Sequence, residues 1–530
     1  MRILTCLAAE ALAREFRGVW ITTVSNIDWP KQRGLSPEVA QAQLIAQLDL
    51  AQENNFNVVV FQIRPQADAF YRSELEPWSY WLTNKQGVDP GWDPLEFAIT
   101  EAHRRGLELH GWLNPYRANA AESQKDNLDP LSPVHQYPDY AYEIGKYIWL
   151  DPGADEIKAH TKAVISDILN RYDVDGLHYD DYFYPYPSYN NYQGFPDDAT
   201  YAKYVNAGGA MSREDWRREN VNELIRDTYE LVKNHNSYVN FGVAPFGIWR
   251  PGNPPGIVGM DAYKDLYCDS KKWLNEGWLD YLAPQLYWPI DSSGQPFEDL
   301  YDWWNEQNYE KKHVMTGLYA SGVMEHVKDW PAQEIVDQIE LMRNKQLSTG
   351  VGEIHFSMQA FEKNTKGLTD LLKSTVYANK SNVPALPWRF SGYPPIPSEP
   401  QLRINDWTIE IEPGWDHRSY GLYENDLLVD VIGNAGEGTI VYKVPKELQN
   451  KNLCFKSMNK DRLESGCTKV CHLGIVVNDF WTCGDLKCNF DLNNARVCMD
   501  GIDDEYLCHA VGCLHCPANQ YGYRCLWENQ

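Results

Sequence analysis

Short apolar runs alternate with longer segments of helical period along residues 16–379. The first run, FRGVWITTV (16–24), is rich in β-branched and aromatic residues, which is typical of a strand. The helical segment that follows, 36–55, begins with Ser36 before Pro37, which are helix-start signals. Seven further pairs follow in the same order. Their predicted strands are 57–65, 107–115, 174–182, 239–247, 279–288, 313–320 and 350–358, and their predicted helices are 93–106, 155–172, 213–236, 263–277, 296–308, 331–346 and 365–379.

Eight strand–helix units in series favour one architecture. Parallel strands require right-handed crossovers, and eight of them close into a (β/α)8 barrel, the TIM barrel. A doubly wound open sheet is the alternative, but it would normally carry a Gly-rich phosphate-binding turn after its first strand. The sequence after residue 24 has no such turn. We therefore predict a TIM barrel over residues 14–380.

The rest of the chain differs in composition. Residues 381–400 are rich in Pro and have no periodicity, which predicts a linker. Residues 401–466 contain short strands between turn residues, which predicts a small antiparallel β-sandwich similar to a fibronectin type III module. Ten of the 12 cysteines lie between Cys454 and Cys525. Residues 467–530 are therefore predicted to form a disulfide-rich module of an oxidising compartment.

Zinc is the competing interpretation of these cysteines. Cys513 and Cys516 stand at the spacing of zinc ligands, with His509 and His515 nearby. No second closely spaced pair completes a zinc-finger set, so disulfides are favoured over a metal site. Neither a metal nor a cofactor is predicted for the barrel.

The N-terminal residues 1–13 allow two interpretations. They contain a short apolar stretch and an Ala-Leu-Ala that resembles a signal-peptidase site, but Glu10 interrupts the stretch. A degenerate secretion signal and a plain N-terminal extension both stay open. Together with the cysteine-rich segment, the first interpretation predicts a secreted, extracellular protein.

Charge and hydropathy restrict the partners. The formal net charge at pH 7 is −26, from 74 acidic against 48 basic residues. Such a field repels phosphate backbones, so no nucleic-acid partner is predicted. No run of about 18 apolar residues occurs, so no membrane span is predicted. The chain contains 33 Tyr and 20 Trp, an unusually aromatic composition.

Polar and aromatic residues collect at the C-terminal ends of the predicted strands, which is where TIM barrels carry their sites. Strand four, in DGLHYDDYFYPYP (175–187), places Asp180 and Asp181 within an aromatic run. Sugars need polar partners for their hydroxyls and rings for their C–H faces, and cleaving a glycosidic bond needs carboxylates. The other predicted substrate contacts are Gln62, Arg64, Trp112, Asn114, Tyr116, Arg117, His178, Tyr182, Trp249, Gln285, Tyr287 and Trp288.

Side-chain alternation separates the two acids. The even-numbered residues of 176–180 share one face of strand four, and the odd-numbered residues of 177–181 share the other. The odd face is apolar and should meet the helices, so Asp180 is expected to point into the barrel mouth as the stronger catalytic candidate. Asp181 either turns inward where the strand ends or orients a neighbour. His178 fits a buried, hydrogen-bonded residue better than a general base. Asp28, Asp68 and Asp291 stay open as alternative second carboxylates.

These residues resemble the glycosyl-hydrolase-like 10 family, whose strand-four motif reads Asp-Gly-apolar-His-aromatic-Asp-Asp-Tyr-Phe-Tyr-Pro. The resemblance covers roughly residues 15–466 and implies a (β/α)8 glycoside hydrolase. Bacterial members are linked to cleavage of peptidoglycan glycan strands. The cysteine-rich tail lies outside the family pattern. Further similar segments are 17–20, 61–65, 110–117, 245–250 and 284–288.

We therefore predict a glycoside hydrolase that uses Asp180 as nucleophile or principal carboxylate. A second carboxylate, such as Asp181, would act as acid/base. The predicted partner is a polysaccharide, and the resemblance favours peptidoglycan-type strands. The C-terminal module is predicted to bind polysaccharide or another extracellular protein. The rival interpretation is a non-catalytic carbohydrate-binding or extracellular-matrix protein on the same scaffold, which would have no need of a carboxylate pair.

Overall fold

The computed structural model describes residues 14–390, 393–405, 407–449 and 451–470, and the backbone of 518–519 and 522–523. The chain divides into two compact units between Tyr393 and Pro394. The first unit holds a closed parallel barrel and the second holds antiparallel sheets, so the predicted fold class is confirmed. The predictions for residues 1–13 and for nearly all of the cysteine-rich module lie outside the described residues. The predicted domain boundaries stay a prediction.

Eight parallel strands form the barrel in chain order, and the last strand pairs with the first. Every strand lies inside its predicted segment and ends at or before the predicted carboxyl end, because the rim loops begin there. The strands are β1 (Phe16–Ile21), β2 (Val58–Arg64), β3 (Glu108–Leu113), β4 (Gly176–Tyr179), β5 (Asn240–Val243), β6 (Tyr281–Leu282), β7 (His313–Leu318) and β8 (Gly350–His355).

A helix follows each strand on the outside of the barrel. The caps follow the sequence signals: Asp93 accepts hydrogen bonds from the backbone N–H groups of Leu95 and Glu96 at 3.1 Å, which begins the second helix. The helices are α1 (Pro37–Glu53), α2 (Pro94–Arg104), α3 (Asp155–Arg171), α4 (Arg213–His235), α5 (Ser270–Asn275), α6 (Phe297–Glu306), α7 (Gln333–Lys345) and α8 (Leu368–Ser374). Additional α-helices lie in the connections: Tyr80–Thr83, Pro133–Gln136, Asp198–Asn206, Ala262–Asp265 and Met358–Glu362.

Two predicted helices are shorter than expected. The segment 263–277 is split into Ala262–Asp265 and α5, because Tyr267 between them has a φ of +55° that a helix cannot contain. The segment 365–379 yields α8 only after Gly367, whose φ is +72°. In both cases a residue in the left-handed region interrupts a pattern whose apolar spacing is helical.

The barrel has an inner and an outer apolar layer. Val58 and Val60 of β2 pack inside the barrel with Trp112, whereas Val59 and Phe61 pack outward against the helices. This alternation is the pleat of a strand with both faces buried. None of the helices within the described residues has the length and apolar character needed to cross a membrane.

The long connection between β3 and α3 carries a small antiparallel sheet that the sequence did not predict. Its central strand is Tyr147–Leu150, with Arg117–Asn119 and Ala141–Ile144 on either side. Trp149 Nε1 donates to the carbonyl of Phe183 at 2.9 Å, which ties this sheet to the segment after β4. The sheet therefore stands beside the C-terminal mouth of the barrel at β4.

Two antiparallel sheets of the second unit lie around one apolar cluster, and a third antiparallel sheet pairs Ala518–Asn519 with Gly522–Tyr523. Ile409 and Ile411 of one sheet share this cluster with Tyr420, Leu422 and Phe455 of the other. A disulfide joins Cys454 to Cys467. Similarity to a fibronectin type III module stays a prediction. One sheet has strands Gln401–Asn405, Thr408–Glu412 and Ile440–Lys443, and the other has Leu427–Gly433, His417–Glu424, Leu453–Asn459 and Thr468–Val470, each in order of pairing.

Candidate active site

Asp180 lies one residue beyond the end of β4, at the C-terminal mouth of the barrel. His178, two residues earlier, lies inside the barrel and meets the hydroxyl of Tyr281 at 3.0 Å. Tyr179 points outward instead, and its hydroxyl meets Thr228 of α4 at 3.2 Å. Asp180 continues the interior face of β4, as strand alternation requires.

Three donors hold the carboxylate of Asp180, which is 4% exposed. Trp112 Nε1 donates to Oδ2 at 3.0 Å, Asn114 Nδ2 donates to Oδ1 at 3.1 Å, and the backbone N–H of Tyr182 donates to Oδ1 at 3.3 Å. Burial and the charge of Asp181 raise the pKa of Asp180 to about 7, although Arg117 and the donors oppose this rise. Near neutral pH the carboxyl group is therefore poised between its protonated and ionised forms.

Asp181 also turns into the mouth and is 3% exposed. The hydroxyl of Tyr186 donates to its Oδ2, and the side chain of Gln285 lies close enough to lower its pKa. Burial raises the pKa of Asp181, while these groups and Arg117 lower it in part. Asp180 and Asp181 are adjacent in the chain, and the charge of Asp181 makes ionisation of Asp180 less favourable.

Five of the predicted contacts gather around this pair: Trp112, Asn114, Arg117, Tyr182 and Gln285. The amide of Asn114 is fixed because its Oδ1 accepts the backbone N–H of Arg117 at 2.9 Å. The guanidinium of Arg117 donates to the carbonyl of Pro65 at 2.7 Å and lies 4.7 Å from the ring centre of Tyr182. Its positive charge lowers the pKa of both acids.

Arg64 and Gln62 are buried among protein partners, and their role in substrate binding stays a prediction. Arg64 is 1% exposed; its Nε donates to Glu76 at 2.7 Å and its other nitrogens donate to Glu76 and to the carbonyl of Asn114. Gln62 is fully buried, and its Oε1 accepts the backbone N–H of Val24 at 2.9 Å. Gln62 thus binds the loop after β1, and Arg64 binds Glu76 and the segment after β3.

His178 and Tyr116 are also withdrawn from the mouth. His178 is fully buried, and its Nε2 accepts a hydrogen bond from Trp20 Nε1 at 3.2 Å. Burial and the neighbouring His110 hold its pKa well below the usual value, so the imidazole is neutral. Tyr116 is buried in the outer apolar layer, where burial raises its pKa. Of the two interpretations of His178, the structure favours the buried barrel residue, and Tyr116 packs against the helices.

The predicted aromatic contacts divide into two groups. Tyr287, after β6, is partly exposed and stacks on Tyr319 with ring centres 4.7 Å apart. Phe356, after β8, lies 6.0 Å from Tyr287 and is partly exposed as well. These rings follow the ends of different strands and meet at the mouth. Phe356 was missed because the sequence singled out polar residues at the end of strand eight.

Trp249 and Trp288 lie farther out, on the loops after β5 and β6. Trp249 stacks on Trp303 of α6 with ring centres 5.9 Å apart, and its Nε1 donates to Asp269 at 3.3 Å. Trp288 meets Phe246 edge to face at 5.7 Å. Both rings fasten rim loops to each other or to the outer helices.

The alternative second carboxylates have other partners. Asp28 is fully buried and accepts hydrogen bonds from the backbone of Thr22 at 2.8 Å and from the hydroxyl of Ser357 at 2.9 Å, so it ties the loop after β1 to the loop after β8. Asp68 is fully buried and accepts from Gln66 at 2.7 Å. Burial raises the pKa of each to about 6. Asp291 is exposed on the loop after β6. Asp181 is adjacent to Asp180 and its charge acts on that group, and the identity of the second carboxylate stays a prediction.

A residue that sequence reasoning passed over is Tyr186, which donates to Asp181. It stands in the aromatic run after strand four, but only the path of the loop shows that its hydroxyl returns to the strand end. Within the described residues, no group of three or more His, Cys, Asp or Glu side chains is arranged to hold a metal ion.

Two known proteins are similar in sequence to this chain over about two thirds of its length. Glycosyl hydrolase YngK of Bacillus subtilis (strain 168) is 40% identical over 384 residues, which cover 71% of this chain and 74% of YngK. Glycosyl hydrolase DigH of Escherichia coli (strain K12) is 34% identical over 370 residues, which cover 64% of this chain and 82% of DigH.

Among solved structures, the glycoside hydrolase domain of PgaB (BpsB) from Bordetella bronchiseptica is 13% identical with a TM-score of 0.43, covering 68% of this chain and 98% of that domain. A profile of the family described as glycosyl hydrolase-like 10 matches residues 15–334, which include β1 to β7 and the carboxylate pair. This chain therefore belongs to the glycosyl hydrolase-like 10 family.

Proposed function

We propose that this protein is a glycoside hydrolase with Asp180 as its principal carboxylate and a peptidoglycan-type glycan strand as its substrate. The observation that carries the proposal is the buried pair of Asp180 and Asp181 at the end of β4, with the pKa of Asp180 raised to about 7. Membership of the family and the names of YngK and DigH support the hydrolase class. The choice of glycan follows the link of bacterial family members to peptidoglycan strands.

The pair supplies the two forms of carboxyl group that glycosidic cleavage needs, one acid and one carboxylate. Asp180 carries the proton and donates it to the departing glycosidic oxygen as the bond to the anomeric carbon breaks. Asp181 stays ionised, steadied by Tyr186 and Gln285, and stabilises the positive charge that develops on the sugar ring. Water then adds to the anomeric carbon and loses its proton to the carboxylate that Asp180 has become.

The donors on Asp180 fit this role. Trp112 and Asn114 donate to its oxygens in the resting structure, and hydrogen bonds of this kind favour the ionised form. When the proton leaves, the new carboxylate meets donors that are already in position, so no reorganisation is needed at that moment. In this proposal Asp180 is the acid and Asp181 is the charged carboxylate. The roles predicted from sequence differ, with Asp180 as nucleophile or principal carboxylate and Asp181 as acid/base.

A panel of glycans tests the proposal. The protein is incubated with isolated peptidoglycan glycan strands, chitin oligosaccharides and β-glucan oligosaccharides, and new reducing ends are followed with mass spectrometry of the products. Hydrolysis of the peptidoglycan strands is expected. If only another glycan is cleaved, the proposed hydrolase activity stands and the proposed peptidoglycan substrate is wrong. Binding of a glycan with no new reducing end from any of them would identify a carbohydrate-binding protein and overturn the proposal.

The pH dependence of kcat/KM is a further prediction. We expect kcat/KM to fall as the pH rises through about 7, because Asp180 of the free enzyme loses the proton it must donate. In Asp181→Asn the like charge that raises the pKa of Asp180 is absent, so the pKa of Asp180 is lower. The fall in the remaining kcat/KM should therefore begin at a lower pH than in the unmodified enzyme. Rates measured from about pH 4 to about pH 9 check both points. A profile that is flat across neutral pH would contradict the assignment of the proton to Asp180.

A further inference from the structure

A row of four tyrosines leads away from the carboxylate pair: Tyr182, Tyr186, Tyr189 and Tyr147, which we call the tyrosine row. Neighbouring ring centres are 5.7 Å apart between Tyr182 and Tyr186, 5.6 Å between Tyr186 and Tyr189, and 4.6 Å between Tyr189 and Tyr147. All four side chains are partly exposed, whereas the rings at 183–184 between them are buried. The row begins at the proposed active site, because the hydroxyl of Tyr186 donates to Asp181.

The frame of the row is rigid. It joins the loop after β4 to the small sheet between β3 and α3 through the hydrogen bond from Trp149 to the carbonyl of Phe183. Gly145 lets the two segments approach, since a Cβ added there would lie 2.3 Å from the carbonyl oxygen of Tyr189. The charged groups of Arg117 and Lys146 lie 4.7 and 5.2 Å from the ring centres of Tyr182 and Tyr147. Rings held in this way lose little freedom when a ligand covers them.

A second group of partly exposed rings lies across the mouth. Tyr287, Tyr319 and Phe356, which we call the facing trio, follow β6, β7 and β8, and their ring centres are 4.7 to 6.3 Å apart. In the closed barrel β3 and β4 stand opposite β7 and β8. Burial raises the pKa of Tyr287, and the charge of Asp181 adds to the rise. The carboxylate pair therefore lies between the tyrosine row and the facing trio.

On the basis of the proposed hydrolase function, we propose that the tyrosine row and the facing trio bind consecutive sugar rings of one glycan chain, so that the enzyme cleaves within chains instead of at their ends. Pyranose rings with equatorial linkages present C–H faces that pack on aromatic rings, and their hydroxyls find partners in the phenol groups. Rings that served only to pack the protein would be buried. All seven rings of the tyrosine row and the facing trio are instead partly exposed. Rings on both sides of the acids fit a ligand that extends past the cleaved bond in both directions.

Binding to an inactive variant tests the row without catalysis. In Asp180→Asn, affinities for the dimer and the hexamer of β-1,4-linked N-acetylglucosamine are measured by calorimetry, alone and with Tyr189→Ala or Tyr147→Ala added. Each added change should weaken hexamer binding about three- to tenfold, the size of one lost ring contact, and leave the dimer nearly unaffected. Tyr189→Phe keeps the ring and should bind the hexamer almost as well as tyrosine.

The matched control is Tyr309→Ala, because Tyr309 is 68% exposed and precedes β7, on the opposite end of the barrel from the mouth. Equal hexamer affinity in Tyr189→Ala and Tyr309→Ala would overturn the proposal that the tyrosine row binds sugar rings. Early products of the unmodified enzyme on long strands should span intermediate lengths; release of only one- or two-sugar products from the start would overturn internal cleavage and leave the hydrolase standing. If binding depends on the tyrosine row but no glycan is cleaved, the proposed hydrolase function fails and the proposed glycan-binding role of the row stands.

Discussion

Replacing Asp180 by Asn is expected to lower kcat on the cleaved glycan by about 10³-fold or more, with a much smaller change in affinity. The amide has nearly the shape of the carboxyl group but carries no proton that it can give to the glycosidic oxygen. Initial rates of reducing-end formation measure kcat, and calorimetry with the intact glycan measures affinity. Asp299→Asn is the matched control, because Asp299 is exposed on α6, outside the barrel.

The choice of leaving group separates chemistry from damage to the structure. Trp112 and Asn114 both donate to Asp180, so the amide nitrogen introduced by Asn meets a donor and disturbs the site as well. An aryl glycoside with a nitrophenol leaving group departs without protonation, so Asp180→Asn should lose far less activity on it. Asp181→Asn should lose activity on both substrates, because the charge on the sugar ring develops with either leaving group. An equal loss by Asp180→Asn on both substrates would overturn the proton-donor role and leave Asp180 as a nucleophile or a structural residue.

The barrel could be predicted from sequence because each of its units repeats the same pattern. Strands such as β2, with both faces buried, give continuous apolar runs, and helices such as α3 give a periodic pattern over several turns. The small sheet at 117–150 could not be predicted, since its strands are three or four residues long and too short to show a period. The break before α5 depends on one residue with positive φ, which composition does not reveal.

The site could be predicted in part for the same reason. Alternation along β4 is a property of strand geometry, so it indicated that residue 180 faces the barrel interior. The roles of Arg64 and Tyr186 depend on where loops return. Glu76 lies in a loop without periodicity and becomes the partner of Arg64 only when that loop packs on β2. Spacing in the chain does not show such contacts, so the ion pair of Arg64 with Glu76 could not be predicted from sequence.

The second large effect concerns stability: Glu76→Gln is expected to lower the free energy of unfolding by about 3–5 kcal/mol. Glu76 and Arg64 form a fully buried ion pair, and His160 adds a hydrogen bond to Glu76 at 2.9 Å. The neutral amide would leave the guanidinium of Arg64 charged and without its counter-ion in the interior. Denaturant unfolding at neutral pH measures the loss. Glu298→Gln is the control, because its pair with Lys345 is half exposed and should change stability by less than about 1 kcal/mol.

The pH dependence and a double variant identify the cause of that loss. Burial alone would raise the pKa of Glu76, but Arg64 and His160 lower it to about 2. The stability that the charge of Glu76 contributes is therefore complete above about pH 4.5 and is lost as the pH falls towards 2. The difference in unfolding free energy between Glu76→Gln and the unmodified protein should narrow over that range.

Arg64→Met combined with Glu76→Leu removes both charges and should lower the free energy of unfolding by less than Glu76→Gln alone. Because Arg64 also holds the carbonyl of Asn114, the double variant should still lose kcat, which would link this buried pair to the position of Asp180.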